Sequence, residues 1–319
     1  ATSFNYDVKL ILDTSFTGKD LLRTTLRAGN FADSAFGNAG VAGTPGLNQL
    51  EVAFQENCGA GVDCGDVVAV NRLFYQFPLS SKVKATVGAR VRQDDMLPMW
   101  PSVYKSDYIL NVFSFAGAPG VYSKNLGAGA GIWYKDKGFS AGVNYVSANG
   151  DGGAPGNAAC FSGTTFTGTT CGGIGTAAAQ QTFTAQLGYA GKGWGGAVAY
   201  NYGNGVGPAS GTPAALALRN ATTNNNSVGL SGYWQPSTSG WIPSFSAGWG
   251  YTSFAQGAGM NANAVAQSWS LGMQWMDAFA KGNVLGMAVG QPTFVTSNGT
   301  AAGEFDGNYA WEWWYKFQM

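Results

Sequence analysis

Lys82, Lys84, Arg90 and Arg92 occupy alternate places in one eleven-residue stretch, and Val83, Ala85, Val87, Ala89 and Val91 fill the places between. Side chains on an extended strand point to opposite faces in turn, so one side of this stretch is apolar and the other carries four cations. Arg23 and Arg27 share a face of an earlier stretch, and Arg72 joins them if its strand follows the parity of Phe74 and Gln76. Gln93, Asp94 and Asp95 follow directly. A basic wall meeting acidic side chains performs no bond-making. It sets up a transverse field that orients dipolar solutes and sorts ions by sign. The competing reading of the same residues is structural. Pairing with Asp13, Glu51, Glu56 or the two aspartates would simply hold the wall together.

Bond-making groups are scarce elsewhere. The chain has no histidine, which removes Ser-His-Asp and Cys-His nucleophiles, His-ligated zinc and the Ser-His pair of barrel phospholipases. No inward pair of carboxylates stands out, so catalytic residues, a metal and a cofactor are all expected to be absent. The run from Gly127 to Gly131 lacks the Lys-Ser/Thr partner of a phosphate loop, and reads as a strand relieved of crowding. Cys58 and Cys64 form one close pair and Cys160 and Cys171 another, both in Gly/Thr/Asn-rich sequence. Three pairings are open by count, and the spacing favours local disulfides made in an oxidising compartment over a metal site. Seventeen Lys and Arg balance seventeen Asp and Glu, which argues against nucleic acid as a partner.

The same alternation recurs along the whole chain and predicts strands near 4–15, 20–31, 67–77, 82–92, 126–135, 139–148, 180–190, 194–203, 226–235, 241–252, 265–276, 282–291 and 305–318. Short turns and long polar segments alternate between them. Leu50 to Gln55 is either a further short strand or a fold within a loop. Hydrophobic residues make up 45% and charged residues only 11%, below the roughly 25–35% charged surface that keeps a protein soluble. No run approaches the ~20 apolar residues of a membrane-spanning helix. Parity places rows such as Phe183, Leu187, Tyr189 and Trp269, Leu271, Met273, Trp275 outward, opposite Ser, Thr, Gly, Asn and Gln. Rings flank nearly every short turn, the level at which Trp and Tyr settle in a bilayer. The expected fold is all-β: a single-domain transmembrane antiparallel up-and-down β-barrel, with short periplasmic turns and long external loops. Residues 93–125 form a loop long enough to imply function. It either enters the lumen or serves as a surface or trimer contact.

Three stretches carry a family resemblance: LDTSFTGKDLLRTTLRAGNF (12–31), NRLFYQFPLSSKVKATVGARVRQDD (71–95) and NYAWEWWYKFQ (308–318). In these the chain resembles the cyanobacterial outer-membrane porins, relatives of the carbohydrate-selective porins that carry an N-terminal surface-layer-homology domain. The cysteine pairs are similar too. The resemblance implies a homotrimer of barrels with 14 to 16 strands in the lipid and lipopolysaccharide of a bacterial, in particular cyanobacterial, outer membrane, passing inorganic ions and small solutes. It also implies that peptidoglycan is bound through a surface-layer-homology domain that does not stand in residues 1–319, and that further strands follow the Trp-rich one.

The functional expectation is a passive pore, narrow and charged, with Arg23, Arg27, Arg90 and Arg92 facing Asp94 and Asp95, and Arg72, Lys82 and Lys84 completing the wall. Sugar uptake is the first rival and needs rings in the lumen, where parity puts only Trp133 and Trp314. A structural envelope protein with a plugged barrel is the second.

Overall fold

The computed structural model describes residues 3–32, 34, 50–56, 64–104, 109–155, 161–162, 165–166, 171–221, 224–255, 263–297 and 307–318. Thirteen strands form one sheet, each antiparallel to the next. They are β1 (Asp7–Thr14), β2 (Leu21–Gly29), β3 (Ala69–Pro78), β4 (Val83–Arg92), β5 (Leu126–Asp136), β6 (Phe139–Ser147), β9 (Gln181–Gly191), β10 (Trp194–Asn204), β11 (Asn224–Trp234), β12 (Ser244–Phe254), β13 (Ala264–Met276), β14 (Val284–Ser297) and β15 (Ala310–Lys316). Two two-residue strands, β7 (Phe161–Ser162) and β8 (Thr165–Phe166), make a separate hairpin in a long connection. Every stretch that alternation predicts is a strand. The count is 13 rather than the 14 to 16 the resemblance implies, and among the described residues no pairing joins β1 to β15. Leu50 makes a single bridge to Leu110, so 50–55 is a fold within a loop and not a strand.

The period of two explains the burial. Along β10, Ala197, Ala199 and Asn201 are buried while Val198 and Tyr200 are exposed. Register carries the pattern sideways: Val198 lies across from Leu187 and Leu230, and Leu230 across from Trp249. Ring pairs gather near the short turns: Tyr134 with Phe139, Tyr189 with Trp194 and Trp234 with Phe245. Near the other ends Phe183 lies across from Tyr145 and Tyr202. One face is thus an apolar band bordered by rings at both margins, the arrangement that suits a bilayer with its two interfaces.

Register shifts interrupt parity between β2 and β3, between β13 and β14, and around β4, where the consequence is largest. A bulge at Ala89 shifts the register so that Arg90 stands across from exposed Leu73, and Val91 pairs with Gly127. Val91, assigned outward by strict alternation, is instead fully buried against Phe74, Met96 and Val146. One extra residue flips the faces that follow it.

Residues 93–125 answer the question their length raises. The segment opens with a 3-10 turn (Gln93–Met96), contains one turn of helix, α1 (Asn111–Ser114), and packs against the inner face of the sheet. Gln93 Nε2 donates to Thr184 Oγ1 (2.7 Å), Ser231 Oγ to the Ala116 carbonyl (2.6 Å) and Ser268 Oγ to the Gly117 carbonyl (2.9 Å). The Leu110 N–H reaches Glu312 on the last strand at 2.8 Å. Glycines make the room. A methyl group at Gly131, Gly142, Gly188, Gly248, Gly250 or Gly272 would strike Met96, Pro98, Met99, Ala116, Ala118 or Tyr104 respectively. The contacts run from β5 to β15, nine consecutive strands of the sheet, which laid flat would span roughly 38 Å at ~4.8 Å per strand. One segment touches them all because the sheet curls around it.

Candidate functional site: a charged cleft beside the inserted segment

The insertion fills the concave side from β5 onward and leaves the faces of β2, β3, β4 and β5 partly uncovered. A cavity of about 520 Å³ lies there, with Arg23, Lys82, Lys84, Lys135 and Trp133 on the strand side and Asp94, Asp95, Leu97 and Pro98 on the insertion. A smaller one of about 210 Å³ is lined by Arg27, Glu51, Arg72, Arg92 and Lys124 among others. Arg72, Arg92, Asp94 and Asp95 form the partition between the two.

The partition is a lattice of paired charges. Arg92 chelates Asp94 through Nε (2.5 Å) and Nη2 (2.8 Å) and also binds Glu51. Arg72 Nε holds Asp95 at 2.6 Å, and the Arg92 backbone N–H donates to the same carboxylate at 3.0 Å. Lys124 adds a second cation to Glu51 at 3.6 Å. Burial pushes the Glu51 carboxyl up, but the Arg92 and Lys124 charges overcome this and bring it down to about 2. Pairing is what burial demands, because an isolated charge out of water costs far more than a matched one.

Each charged residue singled out in the sequence has a definite place. Arg72 does follow the parity of Phe74, since its partner across β2 is Thr25, on the same face as Arg23. Arg23 is bidentate to Asp13 (2.8 and 2.7 Å). Arg27 is buried, bound twice to Asp7 (2.9 and 2.5 Å), with its guanidinium 4.2 Å from the Phe54 ring. Lys82 pairs with Asp136 at 2.8 Å. Lys84 is exposed in the cleft and has no ion pair among the described residues.

The picture of Arg23, Arg27, Arg90 and Arg92 opposing Asp94 and Asp95 across open water needs correcting. Arg92 and Asp94 are bonded neighbours, Asp95 belongs to Arg72, Arg27 is spent on Asp7, and Arg90 sits past the bulge against Glu56 at 3.6 Å. The structural pairing with Asp13, Glu51 and Glu56 is therefore present. The cations left to face Asp94 and Asp95 across the cavity are Arg23, Lys82, Lys84 and Lys135.

Lys135 was missed by sequence reading, although it shares the parity of Gly131 and Trp133 and could have been found that way. Glu51 and Lys124 had no such signal, because their places depend on how two loops fold back. Of the inward rings, Trp133 lines the cavity, while Trp314 is covered edge-on by Tyr104 at 5.2 Å. Neither Cys64 nor Cys171 is a free thiol. Cys58 and Cys160, which local pairing requires, lie outside the described residues.

No protein-family model matches the chain. It is 27% identical over 323 residues to an uncharacterized protein of the cyanobacterium Synechocystis, covering 93% of this chain and 53% of that protein, so it spans about half the length of that curated relative. Among solved structures it is similar to OprB of Pseudomonas putida, with a TM-score of 0.50, 12% identity and coverage of 92% of this chain and 69% of that one. It is also similar to OmpF of Salmonella typhi, solved with daunomycin, with a TM-score of 0.51, 11% identity and coverage of 98% and 79%. The fold is that of the outer-membrane porins.

Proposed function

We propose that the chain is the channel-forming part of an outer-membrane porin of a cyanobacterial envelope, through which small hydrophilic solutes and inorganic ions diffuse passively. The observation that carries this reading is the pairing of an apolar, ring-bordered outer face with an inner face that is polar and narrowed by residues 93–125. A sheet with this surface is stable in lipid only if its edge N–H and C=O groups are satisfied, which for β-structure means closure into a barrel. Arg23, Lys82, Lys84, Asp94 and Asp95 line the path, while Arg72 and Arg92 hold the two carboxylates in place and Arg27 and Arg90 brace the wall. The assembly is a homotrimer, with Cys58–Cys64 and Cys160–Cys171 closing external loops. Transport needs no cofactor and makes no bonds.

The relation to the Synechocystis protein supports the cyanobacterial setting, and the porin fold supports a channel. Sugar selectivity has less in its favour, because the cavity lining holds two rings, Phe74 and the partly exposed Trp133, with Phe74 itself buried, and a sugar track needs several stacked in sequence. The plugged-barrel reading draws on one specific observation, the complete burial of Ile109, Val121 and Tyr122 of the insertion. Planar-bilayer recording separates the two. Discrete conductance steps in salts of graded ion size are expected, and silence from well-folded protein would favour the plug.

A further inference from the structure

The strand side of the 520 Å³ cavity carries four cations and the insertion side two carboxylates, a lining excess of two positive charges. Pairing accounts for half of the cations: Arg23 is neutralised by Asp13 and Lys82 by Asp136. Asp94 and Asp95 are likewise neutralised from behind by Arg92 and Arg72. Lys84 and Lys135 remain. Both are exposed within the cleft, and neither has an ion pair among the described residues.

They are also neighbours. Lys84 lies directly across from Trp133, and the Lys135 N–H donates to the Lys82 carbonyl at 2.9 Å. Lys84 and Lys135 therefore stand diagonally on one face of β4 and β5, a relation that puts backbones about 7–8 Å apart, within the span of two long side chains. Trp133 adjoins both on this face, directly across from Lys84 and two residues before Lys135, and gives the pair a low-dielectric neighbour.

We infer that Lys84 and Lys135 form an anion-binding step at the short-turn mouth and set the sign of the pore's ion preference. The inference rests on the channel reading above and names its solute class, small inorganic anions such as chloride and phosphate. A small anion bound here takes charge-assisted hydrogen bonds from two ammonium groups, with the Arg23 guanidinium lining the same cavity. Two water-exposed lysines bind weakly enough to release it, which conduction requires. Arg92, the most conspicuous cation of the sequence, is excluded from this role because Glu51 and Asp94 already saturate it.

The test is the reversal potential of purified trimer or monomer in planar bilayers under a potassium chloride gradient. The unaltered protein is expected to prefer chloride, and added inorganic phosphate to reduce its chloride current. Lys84→Glu with Lys135→Glu is expected to reverse the sign of that potential and abolish the phosphate effect. Lys84→Arg with Lys135→Arg should preserve both, and Lys192→Gln, in an exposed short turn, controls for general surface charge. Conducting channels whose reversal potential is the same in the double-Glu variant and the unaltered protein would overturn the inference while leaving the channel intact. Absence of conductance in the unaltered protein would overturn the channel reading and the inference with it.

Discussion

Arg92 shows how one residue can carry both a packing and an electrostatic load. It anchors Asp94 within its own turn and Glu51 from a loop 41 residues away. Replacing it with Gln leaves two largely buried carboxylates facing each other, and removing one partner of such a pair costs about 3–5 kcal/mol. Arg92→Gln is therefore expected to loosen the insertion, read as a lower unfolding temperature in detergent, and not simply to alter ion preference. Acid should act on the same joint. The Glu51 carboxyl is held at about 2, below its ordinary 4.5. Its stabilising contribution is thus complete above pH 4.5 and lost as the pH falls from there through 2. Proteolysis of the 50–56 and 93–125 segments should accelerate across that window, and Glu51→Gln should flatten the dependence. At this scale the sequence revealed that Lys82 shares a face with Lys84 and that Arg72 joins Arg23, but not that the bulge takes Arg90 off that face. It could not reveal the partners, since those are contributed by loops distant in the chain.

At the scale of elements, thirteen strands were legible because period-two alternation is a local property that each strand states for itself. The bulge at Ala89 was not, since a single inserted residue leaves the alternation of letters intact and changes only the pairing. The helix α2 (Pro213–Ala221) had a readable start: Thr212 caps it through Oγ1 to the Ala215 N–H at 3.3 Å, and Pro213 takes the first helical place. It lay unnoticed inside a segment read as a loop. Sequence reading gives the Gly127–Gly131 run the task of relieving crowding on a strand, whereas Gly131 and its counterparts on the later strands seat the insertion. Gly248→Val places a side chain against the Ala116 carbonyl, and overpacking of this kind costs about 1–3 kcal/mol. That variant is expected to open the constriction, measured as a larger single-channel conductance with a lower unfolding temperature. Removing the Ser231 and Ser268 hydroxyls should act in the same direction, at about 1 kcal/mol for each hydrogen bond lost.

For the whole molecule, the decisive property is a surface turned inside out relative to a soluble protein. Leu230 is 52% exposed, in mid-strand, between Val198 and Trp249. Leu230→Arg would put a charge near the centre of the apolar band, at a cost of about 2–4 kcal/mol. The same change at Gln76, which lines the inner cavity, would meet water instead. Unfolding titrations in lipid vesicles distinguish the two, and an equal penalty at both positions would refute the assignment of faces. The bond from Leu110 to Glu312 spans 202 residues, and this fixes an order of events. The insertion is synthesised between β4 and β5, yet its last latch arrives with β15. Until β15 is in place the Leu110 N–H lacks this partner, and bonds such as those to Thr184, Ser231 and Ser268 hold the insertion against the sheet.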